Sequence, residues 1–90
     1  MTIKFSNNGS SLGTRSRGQM LRLLIENSLD KDDFVTFDFS DVVSVSHSFA
    51  DECFGKLLIN RSLDEIKSQT TFINTSDNIK KIIGFTLKER

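Results

Sequence analysis

Apolar and polar positions alternate at the start of the chain, where Ile3 and Phe5 are interleaved with Thr2 and Lys4. Period two marks a short strand. Ser6 to Gly13, rich in Asn, Gly and Ser, reads as a loop. From Thr14 the period lengthens. Thr14 predicts the N-cap of a helix running to about Asn27, with Met20, Leu21, Leu24 and Ile25 on one side and Arg15, Arg22 and Glu26 towards the other. Asp30 to Asp33 is a charged turn. The run Phe34 to Phe39 is short, β-branched and aromatic, which predicts a central strand.

Ser40 and Asp41 break that strand, and Val42, Val43 and Val45 lead to Ser46-His47-Ser48. A second helix is predicted to begin there, with Ser48 as N-cap and Asp51 three residues on in a shortened capping box. Phe49, Ala50, Cys53, Phe54, Leu57 and Leu58 form its core stripe, which leaves Asp51, Glu52, Gly55 and Lys56 on the opposite face. Glu52 and Lys56 stand at i,i+4 in the favourable order. Ser62 to Lys67 fits either an extension of this helix or a loop. Thr70 to Ile73 is a third strand. Ser76 caps a last helix with Ile79, Ile82 and Ile83 inside, Lys80 and Lys81 outside, and Gly84 suited to its end. Phe85 to Arg90 is left as a tail.

The order β-α-β-α-β-α predicts one small α/β domain over residues 1–90, with a mostly parallel sheet covered by helices on right-handed crossovers. Strand order stays open, because a three-strand repeat permits more than one arrangement. Helices on a single face would leave the other available to a partner or a second copy.

Composition narrows the function. Acids and bases number 12 each, so the formal net charge is zero and no long-range field draws the chain to nucleic acid or an anionic membrane. Cys53 is the only cysteine, which excludes a disulfide-stapled scaffold. Met1 to Asn8 lacks a signal h-region, and no apolar run approaches the ~20 residues of a membrane span. A cytoplasmic protein is expected. All aromatic residues are Phe, which suits a core better than a base-stacking surface.

Ser46, His47 and Ser48, with Asp38, Asp41 and Asp51 nearby, invite a hydrolase reading. Adjacent residues rarely serve as nucleophile and base, however, and no Gly-x-Ser-x-Gly elbow or Gly-rich nucleotide loop is present. Paired Cys or His ligands are absent, so neither a metal nor a cofactor is expected. The helix start at Ser46–Ser48 suits an anion, although a cap by itself contributes ~1 kcal/mol. Arg15 and Arg17 are suited to a phosphate or a partner carboxylate. Asp51 and Glu52 at the first turn of the second helix are the interaction candidates there.

The stretch Phe37-Asp-Phe-Ser-Asp-Val-Val-Ser-Val-Ser-His-Ser-Phe-Ala-Asp-Glu-Cys-Phe-Gly55 resembles the centre of the STAS-like domain family of unknown function. Ser48 to Glu52 is the sharpest part. Leu12-Gly-Thr-Arg15 is similar to the family's Gly-x-Arg signature, and Phe72-Ile-Asn74 with the capped helix after it fits the last β-α unit. More distantly, the chain is similar to STAS domains of anti-sigma factor antagonists, which bind a histidine-kinase-like ATPase and carry a switch serine in an Asp-Ser-Ser-Gly turn. In the direct register Ser46 stands at the Asp, His47 at the first Ser, Ser48 at the second and Phe49 at the Gly. The switch serine is then His47, a departure from that pattern; a shift of one residue brings Ser46 or Ser48 to it.

The resemblance implies a non-catalytic regulatory module that docks a protein, of the histidine-kinase-like ATPase class, through Gly13, Arg15, Ser46, His47, Ser48, Asp51 and Glu52. A homo-oligomer is compatible with it. Two alternatives carry their own signatures: a phosphoacceptor or small enzyme using His47, and a nucleic-acid accessory protein acting through Lys80, Lys81, Lys88 and Arg90.

Overall fold

The computed structural model describes residues 1–90. Its elements run β1 (Thr2–Lys4), β2 (Ser11–Leu12), α1 (Arg15–Asp30), β3 (Val35–Asp38), β4 (Ser44–Val45), α2 (His47–Cys53), α3 (Leu63–Gln69), β5 (Thr70–Ile73) and α4 (Asp77–Glu89). Short 3-10 turns occupy Phe5–Asn8 and Gly55–Ile59. The three long-range strands form a parallel sheet in the order β1-β3-β5, so the strand within Phe34–Phe39 is central, as predicted.

Register sets the two faces of this sheet. Ile3 lies beside Phe37 and Phe37 beside Phe72, so these side chains share one face. Thr2, Thr36 and Thr71, followed by Lys4, Asp38 and Ile73, share the other. The first face is buried under the helices, whereas the second is exposed or half-buried. Its mostly polar side chains suit contact with water.

The core is a phenylalanine cluster on the covered face. Phe5 stacks on Phe39 at 4.4 Å between ring centroids, and Phe37 meets Phe54 edge-on at 5.3 Å and Phe72 at 4.9 Å. A dry cluster of this kind has no place for a phenol or indole donor, which fits the absence of Tyr and Trp.

Several local expectations change. β2 and β4, expected as loop and linker, pair in parallel as a second small sheet, Ser11 with Ser44 and Leu12 with Val45. α1 buries Gly18, Leu21, Ile25, Ser28 and Leu29, while Met20 and Leu24 stay exposed. The physical reason is Gly18. A Cβ there would stand 3.0 Å from the Phe49 carbonyl oxygen and 3.1 Å from Glu52 Cβ. The glycine side of α1 is therefore pressed onto α2, which rotates Met20 and Leu24 outward.

Ser62–Lys67 is neither loop nor extension. α3 is a separate helix with a full capping box, in which the Glu65 N–H donates to Ser62 Oγ at 3.1 Å and the Ser62 N–H to Glu65 Oε1 at 3.3 Å. α4 starts at its expected cap, with the Ile79 N–H donating to Ser76 Oγ at 3.3 Å. It does not stop at Gly84. It continues to Glu89, because Thr86 is buried and Leu87 packs on the core, so the expected tail forms its last turns.

Candidate functional site

The β2–β4 pair brings two helix starts side by side. Beyond β4, the Ser46 N–H donates to the Leu12 carbonyl at 2.9 Å, which carries the chain past the end of β2. Thr14 Oγ1 then accepts from the Arg17 N–H at 3.3 Å and caps α1, as predicted. Ser46, not Ser48, caps α2: its Oγ accepts from the Phe49 N–H at 3.0 Å. The same hydroxyl donates to the Gly13 carbonyl at 3.0 Å. Two serines two residues apart are both competent to cap. The one whose hydroxyl has a second partner across the β2–β4 pair is the one used.

Arg15, the first residue of α1, reaches across to α2. Its Nη1 donates to Asp51 Oδ2 at 3.1 Å and to Glu52 Oε1 at 3.4 Å. Glu52 departs from the sequence expectation, since it lies between α1 and α2 at 6% exposure instead of on an outer face. Three cations meet it there. Arg22 Nη2 lies 3.0 Å from Oε2, Lys56 Nζ 3.0 Å from Oε1, and Arg15 completes the set. Arg22 Nε also donates to the Glu52 carbonyl at 2.8 Å. The Lys56 hydrogen bond, with those of Arg15 and Arg22, holds the Glu52 carboxyl below its usual range despite some desolvation.

Asp51 faces the other way, towards α4. Arg90 binds it as a fork, Nε to Oδ1 at 3.0 Å and Nη2 to Oδ2 at 2.9 Å. Desolvation pushes the Asp51 carboxyl up, but the hydrogen bonds from Arg90 and Arg15 outweigh it and the net shift is down. The matching effect on Arg15 is upward, led by its hydrogen bond to Asp51. On the far side of Glu52, Arg22 pairs with Glu26 at 3.6 Å, and Arg61 pairs with both Glu26 and Asp30. The result is one chain of alternating charges from Arg90 to Asp30, stitching α4, α2, α1 and the segment before α3.

A cleft of about 280 Å³ opens where α2 begins and α4 ends, with Arg15, His47, Ser48, Asp51, Phe85 and Arg90 among its walls. His47 and Ser48 are exposed, and the imidazole stands edge-on to the Phe85 ring at 5.7 Å. The predicted residues are thus divided. Gly13 and Ser46 hold the two helix starts together, Glu52 is a buried ionic hub, and Arg15 and Asp51 bridge hub and cleft. His47 and Ser48 face solvent. Phe85 was missed, and Arg90 was read only as part of a C-terminal basic group, because both lie close to 39 residues from their partners and only the packing of α4 on α2 brings them back. Gly55 permits that packing: a Cβ there would stand 2.8 Å from Thr86 Cγ2 and 2.9 Å from Asp51 Oδ1.

Cys53 is buried, and desolvation pushes its thiol far above the normal range, so it packs as an apolar group. His, Cys, Asp and Glu side chains do not converge in threes anywhere as a metal would require. No helix is long and apolar enough to cross a membrane.

The family model described as a STAS-like domain of unknown function (DUF4325) matches residues 17–80. The chain belongs to that family. The matched residues of this STAS-like domain include α2, the Glu52 hub and His47–Ser48, while Gly13, Arg15, Phe85 and Arg90 lie outside them. No curated protein and no solved structure matches the chain.

Proposed function

We propose that this STAS-like domain is a non-catalytic regulatory module that docks a protein at the start of α2. The observation that carries the reading is the state of Ser46. Its hydroxyl is used twice, donating to the Gly13 carbonyl at 3.0 Å and accepting from the Phe49 N–H at 3.0 Å. A serine engaged in both roles has no free proton to give to His47 and does not act as a nucleophile without undoing two helix starts. What remains outward is a recognition surface of His47, Ser48 and Phe85 around the cleft, backed by charges already paired within the chain. Preorganised ionic backing of this kind reduces the ordering cost of docking. The partner class is a histidine-kinase-like ATPase, by the distant similarity to anti-sigma factor antagonists.

Affinity capture from host lysate with wild type, Ser48→Asp and Phe85→Ala tests this. An ATPase held by the wild type and lost by both variants supports it. Identical capture by all three removes this surface. Glu52→Lys is not a useful bait, because a second cation among Arg15, Arg22 and Lys56 would report on folding instead of docking.

A further inference from the structure

β5 closes the sheet on the side away from β1 and has β3 as its only strand neighbour. The Phe39 N–H donates to the Ile73 carbonyl at 3.1 Å, so Ile73 turns its backbone groups towards β3. By strand alternation the Phe72 N–H and C=O point outward, where no strand takes them up. Beside them a groove of about 230 Å³ runs between β5 and α4, lined by Phe72, Lys80, Ile83, Gly84 and Leu87. No residue of β3 lines it, so it opens at the free edge of β5.

Gly84 makes the groove. It lies inside α4, where glycine costs stability relative to alanine. Its φ is not positive and nothing lies within 4 Å of its Cβ position, so neither a turn nor a close approach calls for glycine there. What the missing side chain leaves is open space beside Ile83, Leu87 and Phe72. Lys80, one turn earlier, is the only charged residue on the wall. No ion pair in the chain uses it, or Lys81 or Lys88 on the same helix. The two acids of α4 lie elsewhere, Asp77 in its first turn and Glu89 in the cleft beside α2.

We propose that the β5 edge and this groove receive an extended acidic segment of a partner protein. The segment adds a strand beside β5 and exchanges hydrogen bonds with the outward Phe72 N–H and C=O. One apolar side chain seats over Gly84 against Phe72, Ile83 and Leu87, and a carboxylate two residues from it meets Lys80.

The spacing supports that pairing. Lys80 and Gly84 stand one helical turn apart, about 5.4 Å along the axis, and alternate residues of a strand on one face are about 6.6 Å apart. Charge selects the acidic partner, because the lysines of this helix are unpaired and no carboxylate lines the groove. Two copies meeting here would bring like lysines together instead. The groove lies on the opposite side of α4 from Phe85, Thr86 and Glu89, so it stands independently of the docking reading at α2.

Amide NMR of the full chain, titrated with the blocked peptide Glu-Thr-Leu-Thr-Glu, tests this. The expected result is saturable shifts at Phe72 and from Ile83 to Leu87, with a Kd on the order of 1 mM. The peptides Lys-Thr-Leu-Thr-Lys and Glu-Thr-Ser-Thr-Glu should bind at least fivefold more weakly. Gly84→Leu fills the groove from an exposed position, so it should keep the wild-type Tm and abolish the shifts. Lys80→Glu should reverse the preference towards the lysine peptide, which a misfolded variant would not do. No shift up to about 10 mM peptide, equal binding of the acidic and lysine peptides, or shifts unchanged in Gly84→Leu would overturn the proposal. The same amides moving on concentration of the chain alone would assign the groove to a second copy and overturn it as well.

Discussion

Replacing Gly18 and Gly84 by alanine should move stability in opposite directions, although both glycines lie inside helices. In an unencumbered helix interior, Gly→Ala stabilises by about 0.5–1 kcal/mol, because glycine loses more backbone freedom on folding. Gly84 meets that condition, since nothing lies within 4 Å of its Cβ position. Gly18 does not. Its Cβ would stand 3.0 Å from the Phe49 carbonyl oxygen, 3.1 Å from Glu52 Cβ and 3.4 Å from the Cys53 nitrogen. Two of these atoms are backbone. α2 has no room to yield, because Phe49 and Cys53 are fully buried behind it and Arg22 and Lys56 tie Glu52 in place. Overpacking of this kind costs about 1–3 kcal/mol, which exceeds the propensity gain and leaves Gly18→Ala destabilised by about 0.5–2 kcal/mol. In a domain of this size ~1 kcal/mol moves Tm by roughly 4–8 °C. Thermal unfolding followed by circular dichroism should therefore place Gly84→Ala a few degrees above the wild type and Gly18→Ala several degrees below. A Gly18→Ala protein at or above the wild-type Tm would refute the close helix contact, and with it the reason given for the outward Met20 and Leu24.

Glu52→Gln keeps the shape of the hub but leaves Arg15, Arg22 and Lys56 without their shared anion, and should cost about 1–3 kcal/mol in urea unfolding; an unchanged midpoint would mean the carboxylate is structurally idle. Asp51 and Glu52 both have folded pKa values lowered from ordinary values of 3.8 and 4.5. As pH falls, the unfolded chain takes up these protons first, so stability is full above about pH 4.5 and is lost as pH drops through the folded values. Urea midpoints between pH 3 and 7 should show that fall, and it should be smaller in Asp51→Asn. Gly55→Ala should push the end of α4 off α2, since its Cβ would stand under 3.0 Å from Thr86 Cγ2 and Asp51 Oδ1. A double-mutant cycle between Asp51→Ala and Arg90→Ala should give a coupling of up to about 1 kcal/mol in the Gly55 protein and near zero in Gly55→Ala.

The elements whose cause is local were legible in the chain. Period-two alternation located β1, the β-branched aromatic run located β3, and Thr70–Ile73 is β5 residue for residue. Thr14 and Ser76 cap α1 and α4 as read, because a capping hydroxyl needs only the N–H three residues on. The family resemblance was legible as well, centred on Phe37–Gly55 within the matched residues 17–80. The candidate site was legible only in part. His47 and Ser48 were placed at the start of α2 and do face solvent there, but nothing in the chain's local pattern separates Ser46 from Ser48 as the cap.

Tertiary structure decided what depends on partners far apart in sequence. Ser46 was selected by a carbonyl 33 residues away, through a β2–β4 pair too short to show a period. Glu52 and Arg22 read as the polar sides of two amphipathic helices. They became a part-buried ion pair because Gly18 lets α1 and α2 approach until their polar flanks meet. Periodicity reports which side of a helix is apolar; it does not report how the helix is rotated against its neighbour. Arg90 needed the whole of α4 to return to Asp51. Hydrophobic pattern thus located the three strands of the main sheet and the helices α1, α2 and α4, while close approach between helices decided how α1 is turned, which charges are paired and which surface stays open.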